Sequence, residues 1–218
     1  MANKKRRDEV RQEYQRKAKE KQYQEATKRL YIFPIIALAL ILFVFILLFV
    51  TFADIYQSEA KVVEGSVSGW SFVVSGFTYL FNGHYIGSNP DTLHLYGALV
   101  EPFYDFATEW CETVAILAVV IVLISVVNIA VQIVTILRKN HILNLVSVAL
   151  SLVTFVLLIV CYAKCIDMNN ATIISDYCRN PACVIRSYAI FPALFALGAA
   201  GVDAFAAGKY LKARKLLQ

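Results

Sequence analysis

TVAILAVVIVLISVVNIAVQIVTIL (residues 113–137), RKNH (138–141) and ILNLVSVALSLVTFVLLIVCYA (142–163) follow one another without a break. Each apolar run exceeds the roughly 20 residues with which a helix crosses a hydrocarbon core of about 30 Å. A helix satisfies its own backbone hydrogen bonds in lipid, so both runs read as transmembrane helices. The four residues between them leave room only for a tight turn, which makes the pair antiparallel.

The polar residues of these runs are patterned. The first run carries Ser125, Asn128, Gln132 and Thr135; the second carries Asn144, Ser147, Ser151 and Thr154. In both the spacing is three, four, three, so each set falls within an arc of about 80° at about 100° per residue. Pairing residues equidistant from the turn sets Thr135 opposite Asn144, Gln132 opposite Ser147, Asn128 opposite Ser151 and Ser125 opposite Thr154. Two readings follow. The stripes can face each other as a hydrogen-bonded seam, or line a wet, weakly selective path within a subunit or around an oligomer axis.

Outward from this hairpin the same logic identifies two more spans, residues 30–52 and 188–207. The chain is 59% hydrophobic and 17% charged, where soluble domains hold nearer half and a quarter. Residues 30–52 are too long, and follow too long a charged segment, for a cleaved signal peptide. The expected fold is therefore an all-α membrane protein, a bundle of four transmembrane helices. Its remaining segments are a basic N-terminal helix (1–29), an outer loop (53–112), the turn (138–141), a second outer loop (164–187) and a basic tail (208–218).

Charge orients this layout. Residues 1–29 hold eleven Lys/Arg against five Asp/Glu, and the turn and tail are also basic. Residues 53–112 hold only Lys61 against eight acids. Lysine and arginine mark the cytosolic side, so both termini are expected in the cytosol, with the protein integral to the plasma (cytoplasmic) membrane. The N-terminal segment then reads first as a solvated helix continuing from the first span, and alternatively as a basic arm on the lipid bilayer's anionic surface or an acidic partner; no nucleic-acid partner is implied.

The first outer loop holds twelve aromatics and is expected to form a small folded extracytoplasmic subdomain. Its stretch from Trp70 to Phe81 is too short to span and could be a strand pair, a re-entrant dip or an interfacial segment. Trp70, Phe77, Tyr79 and Phe81 are its candidate partner contacts. From Leu93 to Trp110 apolar residues recur at helical spacing, predicting a helix bent near Pro102.

Within the last span, Ala196, Ala200, Ala204 and Gly208 form a small-residue ridge suited to close helix packing. Asp203 beside it is the one charge inside any span, a functional candidate that could equally pair with Arg138, Lys139 or Arg29. The five cysteines, Cys111, Cys161, Cys165, Cys178 and Cys183, all fall at or beyond the outer face. They are disulfide candidates of unassigned connectivity. Asn170-Ala171-Thr172 is a glycosylation sequon. His84 and His94 flank Asp91, a weak pattern for a metal, and no metal or cofactor is expected.

In layout the chain resembles the tetraspan class that includes claudins and connexin-like large-pore channels. The likeness is of topology: no cysteine follows Trp70 before Cys111, and the outer loops carry one and four cysteines. Four-helix membrane thiol oxidoreductases share the topology too, but use a C-x-x-C pair that this chain lacks. With no catalytic motif present, the expected function is non-enzymatic. The leading expectation is a membrane protein assembling through its outer loop and last span as a homo-oligomer or with a membrane-protein partner, in its most specific form an oligomeric channel. The alternatives are an accessory or adhesion subunit and an outer-face thiol–disulfide enzyme.

Overall fold

A computed structural model of the chain describes residues 2–56, 63–82, 104–174 and 183–215. Six α-helices and three short strands account for most of them: α1 (Ala2–Thr27), α2 (Ile32–Leu48), β1 (Thr51–Tyr56), β2 (Val63–Ser68), α3 (Gly69–Asn82), α4 (Tyr104–Arg138), α5 (Leu143–Ile174), β3 (Cys183–Ile185) and α6 (Phe191–Arg214). A 3-10 turn, Ser187–Ile190, leads into α6.

Among the described residues, four helical stretches are long and apolar enough to cross a membrane: Glu13–Leu48, which takes in the end of α1 and all of α2, Thr113–Arg138, Leu143–Lys164 and Ser187–Arg214. They close a ring in which α2 packs on α4 and α6, and α5 packs on α4 and α6. The outward faces are apolar, with Ile46, Leu123, Val127, Val156 and Phe205 each about half exposed, as lipid-facing side chains are. Inside, small residues let the helices approach closely. Ala37, Ile41 and Ala199 form a buried cluster against Leu40, Phe45, Ile129 and Val202. Aromatic pairs brace α2 on α6: Phe33 meets Phe205 edge-on at 5.2 Å, and Phe43 stacks on Phe195 at 5.5 Å.

The turn between α4 and α5 is built for its brevity. Lys139 takes a left-handed conformation, φ 51°, which ends α4 sharply. Asn140 then accepts a hydrogen bond from the Ile142 amide at 3.3 Å through its side chain. The N-terminal helix is not continuous with the first span: Lys28 to Tyr31 form a turn between α1 and α2. Helix α1 touches α6, with Tyr23 beside Tyr210, and His141 lies against Tyr210 with ring centroids 5.5 Å apart. The basic N-terminal helix, the basic turn and the basic C-terminal segment thus meet at one end of the bundle.

The opposite end carries a three-stranded antiparallel sheet of order β2-β1-β3. Ala53 pairs with Val67 on one side of β1 and with Ile185 on the other. Both long interhelical segments therefore contribute to one sheet. The predominantly helical bundle expected from the sequence thus carries a small sheet at one end. Of the three expectations for residues 70–81 the strand pair is excluded, because they lie within α3. Apolar residues at Trp70, Val73, Phe77 and Leu80 recur every three or four positions, the helical period. Two helices continue beyond their spans: α4 begins nine residues before Thr113, and α5 runs past Ala163 to Ile174, carrying Asn170 in its last turns. Most of the stretch from Leu93, including Pro102, lies outside the described residues.

Helix α3 packs along α4, burying Val73. Trp70 stacks on Phe49 at 5.1 Å, which ties the start of α3 to the end of α2. Gly76 makes the α3–α4 approach possible: a β-carbon there would collide with the Ala115 carbonyl oxygen and with Val119. Gly76→Val should therefore push α3 off α4 and cost about 1–3 kcal/mol. A lowered unfolding midpoint in mild detergent is the expected result; an unchanged midpoint would contradict the close packing.

Candidate functional site

The eight stripe residues are brought together inside the bundle. Ser125, Asn128, Gln132, Thr135, Asn144, Ser147, Ser151 and Thr154 are each no more than 3% exposed. They face inward, between α4, α5 and α6, because the other faces of these helices are Val, Leu and Ile that lipid solvates.

Not every equidistant pair bonds. Asn128 Nδ2 donates to Ser151 Oγ at 2.8 Å, and Gln132 Nε2 donates to Ser147 Oγ at 2.6 Å. Ser147 Oγ also lies 2.6 Å from Asn128 Oδ1, which cross-links the two pairs. Thr135 instead returns its hydroxyl to the Val131 carbonyl of its own helix at 2.7 Å, a local bond typical of threonine in a helix. Ser125, Thr154 and both amide atoms of Asn144 are buried without a partner. Beside Ser125 and Thr154 lies a cavity of ≈ 10 Å³ bounded by Ile41, Val44 and Ala196.

Asp203 is the centre of this seam. It is fully buried, and its Oδ2 lies 2.5 Å from Gln132 Nε2 and 2.6 Å from Ser147 Oγ. The partners expected for it, Arg138, Lys139 or Arg29, are not its neighbours; neutral groups on α4 and α5 are. The physical reason is position: three buried small residues, Ala199, Ala200 and Ala206, turn the same face of α6 inward, and Asp203 goes with them. Asp203 thereby joins three helices at one point. Its Oδ1 and the Gln132 Oε1 are buried without hydrogen-bond partners.

His141 belongs to this site and was hidden by its basic neighbours in the turn. It is 6% exposed, three residues before Asn144, so it extends the α5 stripe by one helical turn. That spacing is the signal that would have found it. Burial holds its imidazole below the ordinary value of 6.5, and its Nδ1 has no partner. The polar stripe thus runs from His141 to Ser125 and Thr154 and stops there. Ten residues of α4, about 15 Å, separate Thr135 from Ser125, half of a hydrocarbon core of about 30 Å. Beyond Ser125 the interior of α4 is Val114, Ala115, Ala118, Val119, Ile121 and Val122.

Elsewhere the sequence-derived candidates divide. Ala196 and Ala200 are buried in the bundle, whereas Ala204 and Gly208 lie on the exposed face of α6. The ridge of four is therefore split between an inner and an outer face. Cys161 is a free, buried thiol rather than half of a disulfide. It borders an apolar cavity of ≈ 50 Å³ lined by Leu47, Val114, Ile121 and Leu158, with no cation to stabilise a thiolate there. Cys183 pairs through its backbone with Ile55; the side chains of Cys111, Cys165 and Cys183, and Cys178 altogether, lie outside the described residues. Phe81 is 81% exposed and Phe77 stacks on it at 6.3 Å. Trp70 is half-buried, and the Tyr79 side chain is not among those described. His84, Asp91 and His94 are also outside the described residues, among which no group of three His, Cys, Asp or Glu side chains could hold a metal ion.

No protein-family model, curated protein or solved structure matches this chain.

Two predictions follow from the seam's geometry. Gln132→Leu leaves Asp203 and Ser147 short of a donor and should cost about 1–3 kcal/mol. Ser151→Ala removes one interhelical bond and should cost less than about 1 kcal/mol. Equal losses in reversible unfolding from bicelles would place the hub elsewhere. For His141 the folded state disfavours the proton that the unfolded chain accepts. Its contribution is therefore complete above about pH 6.5 and is lost as pH falls below it. His141→Phe, which keeps a ring against Tyr210, should abolish this part of the acid sensitivity; identical pH–stability curves would refute the assignment.

Proposed function

We propose that this chain is a non-enzymatic, four-span integral membrane protein of the plasma membrane, with both termini cytosolic, that assembles into a homo-oligomer through α6. The orientation follows from Lys and Arg gathered at the end where α1, the turn and α6 meet, against the acidic composition of residues 53–112.

One observation carries the assembly reading. Gly198, Gly201, Ala204 and Gly208 are all exposed along one side of α6, and nothing lies within 4 Å of a β-carbon placed on Gly201 or Gly208. Leu194, Leu197 and Phe205 share that side, and the glycines between them leave gaps into which the side chains of a second helix can fit. The polar stripes are buried within one protomer, and the interior of α4 beyond Ser125 is apolar, which supports their reading as an interhelical seam over a lining of the oligomer axis.

A second reading, an accessory or adhesion subunit, draws support from α3, whose Leu80 and Phe81 are 57% and 81% exposed next to the sheet-bearing end. A hetero-complex would use that surface.

The deciding variant is Gly201→Phe, whose β-carbon meets nothing within 4 Å in its own bundle and whose ring fills the open side of α6. Mass photometry of gently solubilised membranes should show wild type as a closed multimer and the variant shifted to monomer. A monomeric wild type, or a variant of unchanged mass, would rule out assembly through α6; a one-to-one complex with another protein, lost in Phe81→Ser, would favour the accessory reading.

A further inference from the structure

The seam around Asp203 has a property that assembly does not require. A serine hydroxyl owns one proton and can accept two hydrogen bonds. Ser147 Oγ stands 2.6 Å from Asn128 Oδ1 and 2.6 Å from Asp203 Oδ2. Both are acceptors when Asp203 is ionised, and one proton cannot serve both. With the Ser147 proton given to Asn128, the contact with Asp203 needs a proton of its own. The Asp203 carboxyl is the group that can hold it. Gln132 Nε2 then donates to Ser147 and to Asp203 at 2.6 and 2.5 Å, and the Ser147 oxygen is fully used. In this arrangement Asp203 is a neutral acid donating from Oδ2.

The ionised form has an equally complete arrangement, but a different one. A carboxylate only accepts, so Ser147 turns its proton to Asp203. Asn128 must then present Nδ2 to Ser147, which requires its amide to turn over. Its Oδ1 comes to face Ser151, whose hydroxyl rotates from acceptor to donor. Because hydroxyls stand at both ends of the Asn128 amide, reversal exchanges donors for acceptors and breaks no contact.

We infer that Asp203, Ser147, Asn128 and Ser151 form a proton-binding site, in which protonation of the carboxylate and reversal of the Asn128 amide are one event. An O–H bond forms at Asp203 Oδ2 with a proton taken from water, and the same bond breaks on release; every other change is a hydrogen bond changing direction. The proton comes and goes by the His141 end, since the interior beyond Ser125 and Thr154 is apolar. Among the described residues the Asp203 carboxyl is met by Gln132 and Ser147 and not by a cation. From α2 no titratable side chain is available between Ile32 and Leu48, and from α4 none between Thr113 and Leu137. Helix α5 has no titratable side chain from Leu143 to Val160; Cys161, Tyr162, Lys164, Cys165 and Asp167 all come ten or more residues beyond Ser151. Helix α6 has Asp203 alone up to Lys209, whose ammonium sits 5.3 Å over the Phe205 ring. His141, Tyr210 and Tyr23 close the basic end. A buried carboxylate with no cation partner is costly in a membrane, so the site has a neutral state to return to.

The test is infrared difference spectroscopy of the full-length protein in liposomes, titrated across the range that buried carboxyls reach, about pH 4 to 9. Wild type should show a protonated-carboxyl stretch that appears on acidification with a single midpoint, together with a change in a side-chain amide band. Asp203→Asn keeps the size and contacts of the side chain and should lose both signals. Asn128→Leu should keep the carboxyl signal, lose the amide change and displace the midpoint by about one unit or more, the effect of altering a hydrogen bond to a charged group. A carboxyl band that survives in Asp203→Asn, or that never titrates, would overturn the proposal. Should Asp203→Asn fail to insert, Asn128→Leu decides: an unchanged midpoint and amide region would overturn it equally. Oligomer mass, measured alongside, separates this outcome from that of the assembly reading.

Discussion

A carboxyl group placed among hydrocarbon chains must find polar company within its own protein. Asp203 meets that constraint with Gln132 and Ser147, and in doing so fixes α6 against both helices of the central hairpin. Apolar packing alone does not distinguish one rotation of a membrane helix from another, because lipid tails and leucines are equivalent solvents. A slip of α6 by a single residue would turn Asp203 toward lipid. The rotational setting of three spans therefore rests on one buried face of α6, where Asp203 and the alanines Ala199, Ala200 and Ala206 lie together.

The seam is modest in energy and strong in specificity. Measured interhelical hydrogen bonds in membranes average about 0.6 kcal/mol, so the few bonds here do not by themselves hold the bundle together. The apolar clusters and aromatic pairs between α2 and α6 do more of that. What the seam excludes is every alternative in which its polar groups meet lipid.

Much of this architecture was legible in the chain. Long apolar runs and basic flanks give four helices their number, and the three-four-three spacing places both stripes on facing sides. The same spacing did not show which pairs would bond: threonine can turn to its own backbone, as Thr135 does, and that choice leaves no trace in periodicity. Asp203 was visible as an intramembrane charge, yet its distance along the chain from Lys209 suggested a basic partner. Only the rotation of α6, set by buried Ala199, Ala200 and Ala206, directs it to Gln132 and Ser147. His141 was obscured because three hydrophilic neighbours made it look like part of a solvated turn. The sheet was harder still. β1 and β2 are six residues each and β3 is three, and their pairing joins segments more than a hundred residues apart.

That last pairing has a consequence for how the protein is made. β1 and β2 are synthesised directly after the first span, but β3 follows only once α4 and α5 have been made. Until then one edge of β1 offers unpaired backbone groups, the kind of edge that recruits foreign strands. Arrival of β3 closes it, opposite Ala53, Asp54 and Ile55. The sheet can therefore be complete only in a chain whose central hairpin has already crossed the bilayer in the right sense. A molecule that stalls with the hairpin uninserted carries its defect as an open strand edge, a signal that quality-control machinery outside the bilayer could read without probing the membrane itself.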